Sequence, residues 1–240
     1  MISTYHTHLL SKKQLTDDVY IFTFAADPLE PLQFIAGQYL ILHVPQAGTD
    51  TARRLYSIAS AAYETSTFDL IVQVFPNGVA SQYLLNITAT DTVLFQGPAG
   101  IFTLKNTPHD IVFLATGTGY APMHSMIHDL FKNNFPGTIH LYWGFSTLKD
   151  VYYYELLTQM AADHPNFKFH ICLTREANMP DLKYFARGRI TAVWENTLYA
   201  KSNEAIYDYY ICSGRETVES LKQYLLSKGI SKEYIHSEKF

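Results

Sequence analysis

The sequence contains very little cysteine: Cys172 and Cys212 are the two cysteines among 240 residues. Two thiols exclude a disulfide scaffold, and they are too few for a four-cysteine iron–sulfur cluster within these residues. Any redox chemistry must therefore use a bound organic cofactor or the metal centre of a partner.

Charge of one sign and long apolar runs are also lacking. Lys and Arg number 18 against 22 Asp and Glu, which gives a net charge of −4 without a basic run. We therefore expect neither nucleic acid nor an anionic membrane as a partner. No stretch approaches the ~18 apolar residues of a membrane span. Residues 1–18 lack the apolar segment of a signal peptide, so the expectation is a cytoplasmic protein.

The first hundred residues show the pattern of short β-strands. Hydrophobic residues make up 48% of the chain, enough for folded cores. Runs rich in β-branched and aromatic residues are separated by turn residues at 27–28, 36–37 and 76–78. Strands at this spacing predict a small antiparallel barrel. The predicted strands are Val19–Ala25, Tyr39–Val44, Leu55–Ala59 and Phe68–Phe75.

The pattern changes near Pro108, where strands begin to alternate with helices. This alternation predicts a doubly wound parallel α/β domain. With a boundary near Lys105–Asp110, we expect a barrel domain at residues 1–106 and an α/β domain at 107–240. The predicted strands are Ile111–Ala115, Ile139–Trp143, Phe167–Leu173 and Tyr207–Cys212, and the predicted helices are Pro122–Asn134, Val151–Asp163 and Glu216–Ser227.

A glycine-rich turn follows the first predicted strand of the α/β domain and reads Gly117-Thr118-Gly119-Tyr120-Ala121-Pro122. Glycines there let the backbone approach a pyrophosphate, whose charge meets the free N–H groups of a helix N-terminus. Pro122 suits the first helical turn, but the full dinucleotide fingerprint has a third glycine at that position. The alternative is a strand-to-helix turn that needs glycine for its shape.

A second motif lies in the barrel domain and reads Arg54-Leu55-Tyr56-Ser57. Alternate residues of a strand share a face, so Arg54 and Tyr56 point together. Arg suits a phosphate oxygen, and a Tyr ring can stack on a flat cofactor. Ser57 offers a small donor and acceptor on the other side of the pleat. Taken alone, the motif is more simply an ordinary strand with one exposed Arg.

A third motif, Gly78-Val79-Ala80-Ser81, begins a predicted short helix with Gly78 in the preceding turn. The N-terminal N–H groups and Ser81 could cap a second phosphate. Simple capping of the helix is the alternative, and for this motif alone it is favoured.

In their order, these motifs resemble the ferredoxin–NADP reductase superfamily. An ordered set is more specific than any member of it, and further segments extend the resemblance across nearly the whole chain. These segments are Phe34-x-x-Gly37-Gln38-Tyr39, Gly97-Pro98-Ala99-Gly100, Trp143-Gly144-Phe145, Gly188-Arg189-Ile190-Thr191 and His236-Ser237-Glu238-Lys239-Phe240.

The resemblance implies an FAD site in the barrel domain. Arg54 would hold the pyrophosphate, Tyr56 would stack on the isoalloxazine, and Ser57 would reach flavin N5. Gly78 and Ser81 would bind the pyrophosphate from the short helix. The other positions implied to bind FAD are Leu55, Val72, Val74, Val79 and Ala80.

The resemblance also implies a nicotinamide dinucleotide in the α/β domain, held by Gly117, Thr118, Gly119, Pro122, Ser213 and Gly214. Plant-type members end in Glu-x-aromatic. By that match Phe240 would cover the flavin where nicotinamide enters, and Glu238 could relay a proton. A frayed terminus is the alternative. With Ser57, these two residues are the implied catalytic set.

The family pattern departs from this sequence at Cys212-Ser213-Gly214. Ser213 stands where the family commonly has a cysteine next to nicotinamide. We expect Cys212, one residue earlier, to be a core residue of its strand.

The choice between NADPH and NADH depends on Thr174-Arg175-Glu176, which follows the strand ending at Leu173. It resembles the Ser/Thr-Arg-Glu of NADP-using members, in which the Arg meets the 2′-phosphate. Lys183 would supply a second cation, and Phe185 could stack on adenine. Because an Arg fork suits a phosphate dianion, we expect NADPH to be preferred over NADH. A surface loop with ordinary charges is the alternative.

The implied activity is an FAD-dependent NAD(P)H oxidoreductase, in which the protein orients cofactors that supply the reactivity. The acceptor stays open: ferredoxin, flavodoxin, an oxygenase component or free flavin. A reductase that releases its flavin is an alternative, although the motif at Gly78 favours retained FAD. A non-catalytic dinucleotide-sensing module is the alternative from another class.

Two patterns resemble sites without predicting one. His124 and His128 have an i,i+4 spacing that can bind a metal, but no third ligand is evident and no metal is expected. The run Tyr152-Tyr153-Tyr154 is explained by helix packing.

Overall fold

The computed structural model describes residues 3–26, 31–46, 51–201 and 206–240. The predicted turn at residues 27–28 lies outside the described residues. The chain divides into two units. The first consists of Met1–Leu104 with Ala121–Lys132, and the second of Lys105–Tyr120 with Asn133–Phe240.

The first unit is built on six antiparallel strands in the order β4-β3-β6-β1-β2-β5. The two end strands are joined by a bridge between Ile58 and Leu70, and Ala59 N–H donates to Asp69 O at 2.8 Å. This bridge curls the sheet into a barrel, as the strand spacing predicted. The strands are β1 Ser3–Gln14, β2 Val19–Ala25, β3 Tyr39–Pro45, β4 Thr51–Ser57, β5 Thr67–Gln73 and β6 Thr92–Ala99.

Aromatic rings fill the barrel. Phe24, Phe68 and Phe95 are buried, with ring centroids 5.0–5.4 Å apart. Helix α1, Val79–Asn86, contacts β3 and β4 and places Leu84 in the same core. The helix therefore lies beside the strand that carries Arg54 and Tyr56.

The second unit is a parallel sheet in the order β10-β9-β8-β7-β11-β12. The strand order reverses at β7, whose neighbours are β8 and β11. In such sheets ligands bind where the order reverses, beyond the carboxyl ends of the strands. The strands are β7 Asp110–Thr116, β8 Ile139–Phe145, β9 Phe167–Leu173, β10 Phe185–Arg187, β11 Tyr207–Ser213 and β12 Ile235–Lys239.

Four further helices follow in chain order, namely α2 Tyr120–Lys132, α3 Tyr154–Asp163, α4 Ile190–Thr197 and α5 Arg215–Ser227. The sequence predicted α2, α3 and α5 and missed α4. It also missed β1, β6, β10 and β12. No helix within the described ranges is long and apolar enough to cross a membrane.

Most of α2 belongs to the first unit, although it follows β7 in the chain. His124 Nδ1–H donates to the carbonyl oxygen of Ala59 at 2.8 Å. A Cβ on Gly37 would collide with Met126 and with the Phe102 backbone. Gly37, at a φ of +98°, thus lets the helix and the barrel loop approach closely. The predicted α/β domain, residues 107–240, includes this segment, whereas in the structure Ala121–Lys132 groups with the barrel unit.

Candidate functional site

The Arg54 face is the side of β4 that carries Arg54 and Tyr56. Tyr56 lies opposite Leu40 and Arg54 opposite Leu42, both buried in the barrel core. The two side chains therefore share one face, as the alternation predicted. Arg54 is exposed, and its Nη1 donates to Arg53 O at 2.8 Å. Burial raises the pKa of Tyr56, and the positive charge of Arg54 opposes that rise.

The opposite face of β4 carries Leu55 and Ser57. Leu55 is exposed, and half-buried Ser57 lies opposite Tyr39 in the ladder. Ser57 is the last residue of the strand, so its hydroxyl lies at the strand end, across the pleat from Tyr56.

Helix α1 begins at Val79 after Gly78, which caps it without any side-chain hydrogen bond. The first N–H groups of an α-helix have no acceptor within the helix, and their positive end attracts anions. A Cβ on Gly78 would lie 2.8 Å from Ser81 Oγ. A larger residue at this position would therefore press on the Ser81 side chain.

Ser81 holds the turn that precedes α1. It is 4% exposed, and its Oγ accepts the N–H of Phe75 at 2.9 Å. Its predicted contact with the pyrophosphate stays a prediction. Ala80 is also buried, whereas Val79 is exposed. The backbone N–H groups of the first helical turn are the other groups here that can bind an anion.

The valines predicted to contact flavin differ in burial. Val72 is 1% exposed and belongs to the barrel core, so its side chain does not reach a ligand. Val74 is half-buried and packs against that core, and its N–H donates to Asp18 O at 2.7 Å. Of the two valines, Val74 is the one with side-chain surface that a ligand could contact.

The Gly117 crevice lies at the carboxyl ends of β7 and β11, where the strand order reverses. Gly117–Gly119 forms a single 3-10 turn between β7 and α2. Gly117 has a φ of +49°, and a Cβ there would meet nothing within 4 Å. A Cβ on Gly119 would collide with the carbonyl of Cys212 on β11. Gly117 thus leaves open space beside the turn, and Gly119 lets the turn pack closely against β11. Thr118, between them, is half-buried.

Residues at the end of β11 complete the crevice. Ser213 is 1% exposed, and its hydroxyl is hydrogen-bonded to that of Thr116 on β7. Ser213 therefore ties two strand ends together, and its predicted contact with nicotinamide stays a prediction. Gly214 caps α5, and a Cβ there would meet nothing within 4 Å. Cys212 is buried in β11, as predicted.

Pro122 is the third residue of α2 and is buried. A proline needs no N–H acceptor in the first helical turn, but the helix begins two residues before the predicted start at Pro122. The predicted contact of Pro122 with the coenzyme stays a prediction.

Two side chains to which the sequence analysis gave no role in coenzyme binding hold the Gly117 turn. Trp143 Nε1–H and Tyr152 O–H both donate to the carbonyl oxygen of Gly117, at 2.9 and 3.1 Å. The predicted helix 151–163 is wrong at its start, because Tyr153 has a φ of +62° and α3 begins at Tyr154. Tyr152 therefore precedes the helix, and helix packing does not explain it.

The loop after β9 carries the Arg175 side chain into solvent. Next to it, Glu176 accepts the N–H groups of Leu148 at 2.8 Å and Asn178 at 3.3 Å. These bonds lower the pKa of Glu176. Arg187, which the sequence did not single out, donates to Glu176 O and Ala177 O at 2.7 and 3.1 Å. The loop is therefore fixed to β10, with Arg175 outside.

The remaining predicted coenzyme contacts lie near β10. Lys183 is exposed, with its Nζ 4.9 Å from the centroid of the Tyr184 ring. Phe185 is half-buried and packs against Tyr154, with ring centroids 5.0 Å apart. An adenine would find part of the Phe185 ring already covered.

Residues 235–239 are paired and do not fray. They form β12, and Glu238 lies opposite Cys212 in the parallel ladder. Burial, and then the charge of Glu238, raises the pKa of the Cys212 thiol. Phe240 N–H donates to Ser213 O at 3.4 Å, and the Phe240 side chain is 68% exposed. Its predicted place over the flavin stays a prediction.

The histidine pair of α2 is engaged within the protein. His124 Nε2 and His128 Nε2 lie 3.3 Å apart in a hydrogen bond. Since His124 Nδ1 donates to Ala59 O, its Nε2 is the acceptor of this bond. Among the described residues no group of three or more His, Cys, Asp or Glu side chains is arranged to hold a metal ion.

These features fit two dinucleotides. The exposed Arg54 cation and the N-terminus of neighbouring α1, which has no side-chain cap, suit a pyrophosphate, and the Tyr56 ring suits a flat heterocycle. In the crevice, Gly117 and Gly214 leave space that a Cβ would fill. Backbone N–H groups there suit a second pyrophosphate.

Comparison with known proteins agrees with this division. Residues 6–104 match the family model of the oxidoreductase FAD-binding domain. Residues 113–222 match that of the oxidoreductase NAD-binding domain. A ferredoxin–NADP+ reductase from Neisseria gonorrhoeae superposes with a TM-score of 0.83 at 22% identity, over 99% of this chain and 98% of that one. At that identity the likeness shows the fold.

Several relatives transfer electrons within larger systems. The toluate 1,2-dioxygenase electron transfer component of Pseudomonas putida is 28% identical over 98% of this chain. The anthranilate 1,2-dioxygenase component of Acinetobacter baylyi is 28% identical over 90%. This chain spans 67% and 61% of their lengths. A cytochrome P450 reductase from Amycolatopsis has a TM-score of 0.88 at 28% identity, over 100% of this chain and 70% of that one.

Two matched domains in this order, each with its own dinucleotide-binding features, account for most of the sequence. The chain is therefore an FAD-dependent NAD(P)H oxidoreductase, with an oxidoreductase FAD-binding domain followed by an oxidoreductase NAD-binding domain, and it has the fold of ferredoxin–NADP reductases.

Proposed function

We propose that this chain passes electrons from NAD(P)H through FAD to a separate acceptor protein, as the reductase component of an oxygenase or a similar system. The observation that carries the proposal is the pairing of an FAD-binding domain with an NAD-binding domain in one chain. Relatives named as electron transfer components of dioxygenases support this class of acceptor. Ferredoxin and flavodoxin are the other protein acceptors.

The residues have divided roles in this proposal. Arg54 and the N-terminus of α1 bind the FAD pyrophosphate, Tyr56 stacks on the isoalloxazine, and Ser57 places its hydroxyl by flavin N5. Bound FAD would supply the chemistry of accepting a hydride from NAD(P)H and releasing the electrons onward. Glu238 would hold a proton near the end of β12.

The Gly117 turn and Gly214 would receive the nicotinamide dinucleotide. The open space at both glycines supports this assignment. Buried Ser213 would act indirectly, since its bond to Thr116 fixes the distance between the two strand ends.

For the coenzyme we propose a preference for NADPH, with Arg175 as the contact to the 2′-phosphate. Arg175 is exposed, and the bonds from Arg187 fix the loop that carries it. Arg175→Ala should raise KM for NADPH and leave KM for NADH nearly unchanged, because NADH lacks the phosphate. Lys168→Ala, which removes an exposed cation near the amino end of β9, is the control. Unchanged NADPH kinetics in Arg175→Ala would show that Arg175 is an ordinary surface residue that does not contact the 2′-phosphate.

The acceptor is tested by steady-state reduction of an oxygenase component, ferredoxin, flavodoxin, free FMN and ferricyanide side by side. We expect saturable reduction of a protein acceptor at low concentration, with FAD retained throughout. If free FMN is the best acceptor and FAD dissociates during turnover, the chain is a flavin reductase instead. If NAD(P)H is not oxidised with any acceptor, the proposed activity is wrong.

A further inference from the structure

We propose that Trp143 and Tyr152 are positioning residues for the nicotinamide dinucleotide, and that they act by fixing the peptide plane between Gly117 and Thr118. The inference rests on the proposed function, in which the Gly117 turn binds the dinucleotide. It assigns a role to two side chains that lie beneath the turn and need not contact the ligand.

The Gly117 carbonyl is the best-held group of the turn. Its oxygen accepts the indole N–H of Trp143 at 2.9 Å and the hydroxyl of Tyr152 at 3.1 Å, and the N–H of Tyr120 also donates to it. Three donors therefore surround one oxygen and fix its direction. A trans peptide is planar, with N–H and C=O pointing oppositely. The N–H of Thr118 must then point away from the two aromatic donors.

The space beside the Gly117 Cα is open. Gly117 has a φ of +49°, and nothing lies within 4 Å of the place where its Cβ would stand. Glycine pays more backbone entropy than any other residue when it is ordered, so nothing intrinsic to Gly117 selects this conformation. The two side-chain donors, together with the Tyr120 N–H, hold it. In this proposal the Thr118 N–H, on the opposite side of the peptide, is the group that meets the dinucleotide.

Both donors are themselves held in place. Trp143 is fully buried on β8 and stacks on Tyr120, with ring centroids 4.1 Å apart. The Tyr152 ring meets the Trp143 ring edge-on at 4.7 Å. Before it, Asp150 Oδ2 accepts the N–H and the hydroxyl of Thr147, each at 2.8 Å. Tyr152 thus lies in the short connection between this capped 3-10 turn, Leu148–Asp150, and α3.

The test is Tyr152→Phe in the FAD-loaded protein, which removes one donor and keeps the ring that packs on Trp143. Tyr154→Phe is the matched control. It removes the hydroxyl of a nearby tyrosine and keeps the ring, which packs on Phe185. Binding of NADP+, NAD+ and AMP is measured by calorimetry, with Tm as a check on folding. AMP lacks the pyrophosphate and the nicotinamide.

We expect Tyr152→Phe to bind NADP+ and NAD+ about two- to tenfold more weakly, the equivalent of one lost hydrogen bond. The factor should be similar for both coenzymes, because they share the pyrophosphate, and AMP binding and Tm should stay near those of the control. A structural defect would weaken AMP as well. If the parent binds neither coenzyme, the proposed function fails. If the parent binds them and Tyr152→Phe binds them as tightly as Tyr154→Phe, the positioning role is wrong.

Discussion

Arg53 and Arg54 are adjacent cations on one strand, but the pleat directs them to opposite faces. Arg54→Ala should remove a charge-assisted contact to the FAD pyrophosphate worth about 1.5–3 kcal/mol. That energy corresponds to roughly a tenfold to hundredfold loss of FAD affinity. Arg53→Ala, opposite His43 on the other face, should retain FAD like the parent. The fraction of FAD that each variant retains through dialysis is the measurement. Equal retention by the two variants would show that Arg54 does not bind the FAD pyrophosphate.

His124 gives the first unit a pH-dependent contact. Burial, and then the neighbouring His128, lowers the pKa of His124 to about 4, while its bond to Ala59 O opposes the shift. The ordinary histidine value is about 6.5. The folded state therefore resists the proton that the unfolded chain accepts, and stability from this group falls as the pH drops from about 6.5 to about 4.

The test uses His124→Asn, whose amide N–H can still donate to Ala59 O and does not titrate. Between pH 7 and pH 5 we expect Tm to fall less steeply in the variant than in the parent. His140, whose pKa burial also lowers to about 4, is present in both proteins and cancels in the comparison. Parallel Tm curves would show that His124 does not titrate on unfolding in this range.

At the residue scale, the sequence predicted which face of a strand a side chain lies on, but not how deeply a side chain is buried or what it binds. Period-two alternation was enough to place Arg54 and Tyr56 on one face. It could not show that Ser81 and Ser213 turn their hydroxyls to protein groups, because a hydroxyl beside a phosphate motif and one that holds a turn look the same in sequence. The support from Trp143 and Tyr152 was also invisible, since it joins residues 26 and 35 positions from Gly117.

At the scale of elements, the two glycines of the 3-10 turn should respond differently to alanine. In Gly119→Ala the new methyl meets the Cys212 backbone, which cannot swing aside. Overpacking of this kind costs about 1–3 kcal/mol or more. In Gly117→Ala the methyl enters open space, and the positive φ costs about 1–2 kcal/mol.

We therefore expect Gly119→Ala to lower Tm more than Gly117→Ala. Gly117→Ala should weaken NADP+ binding out of proportion to its modest loss of stability, because its methyl occupies the proposed coenzyme space. Thermal unfolding and NADP+ titration of the two variants measure this. A larger Tm loss in Gly117→Ala, with intact coenzyme binding, would contradict the assignment of the crevice.

The strands that were not predicted from the sequence have an apolar alternation that polar residues, glycine or proline interrupt. On β1 the inward positions include Thr7, whose hydroxyl donates to Val93 O at 3.0 Å, so its alternation is not purely apolar. On β6 the Gly97-Pro98 pair suggests a turn and not a strand. Edge strand β12, Ile-His-Ser-Glu-Lys, has one apolar residue and is recognised by its pairing with β11.

At the scale of the whole molecule, the two-domain organisation was predictable because the motifs occur in a fixed order along the chain. Arg54 lies within a barrel strand, Gly78 precedes a helix, and Gly117 follows a parallel strand. The membership of α2 in the first unit was not predictable, because an apolar helix face does not reveal which surface will cover it. That pairing depends on the bond from His124 to Ala59 and on the close approach at Gly37.

The most direct test of the central claim is anaerobic titration of the purified, FAD-loaded protein with NADPH and with NADH, followed by flavin absorbance. The account predicts that the oxidised flavin band is bleached by about one equivalent of NAD(P)H per FAD, and that a protein acceptor then restores it. A protein that does not retain FAD, or whose bound FAD is reduced by neither coenzyme, would contradict the assignment as an NAD(P)H oxidoreductase.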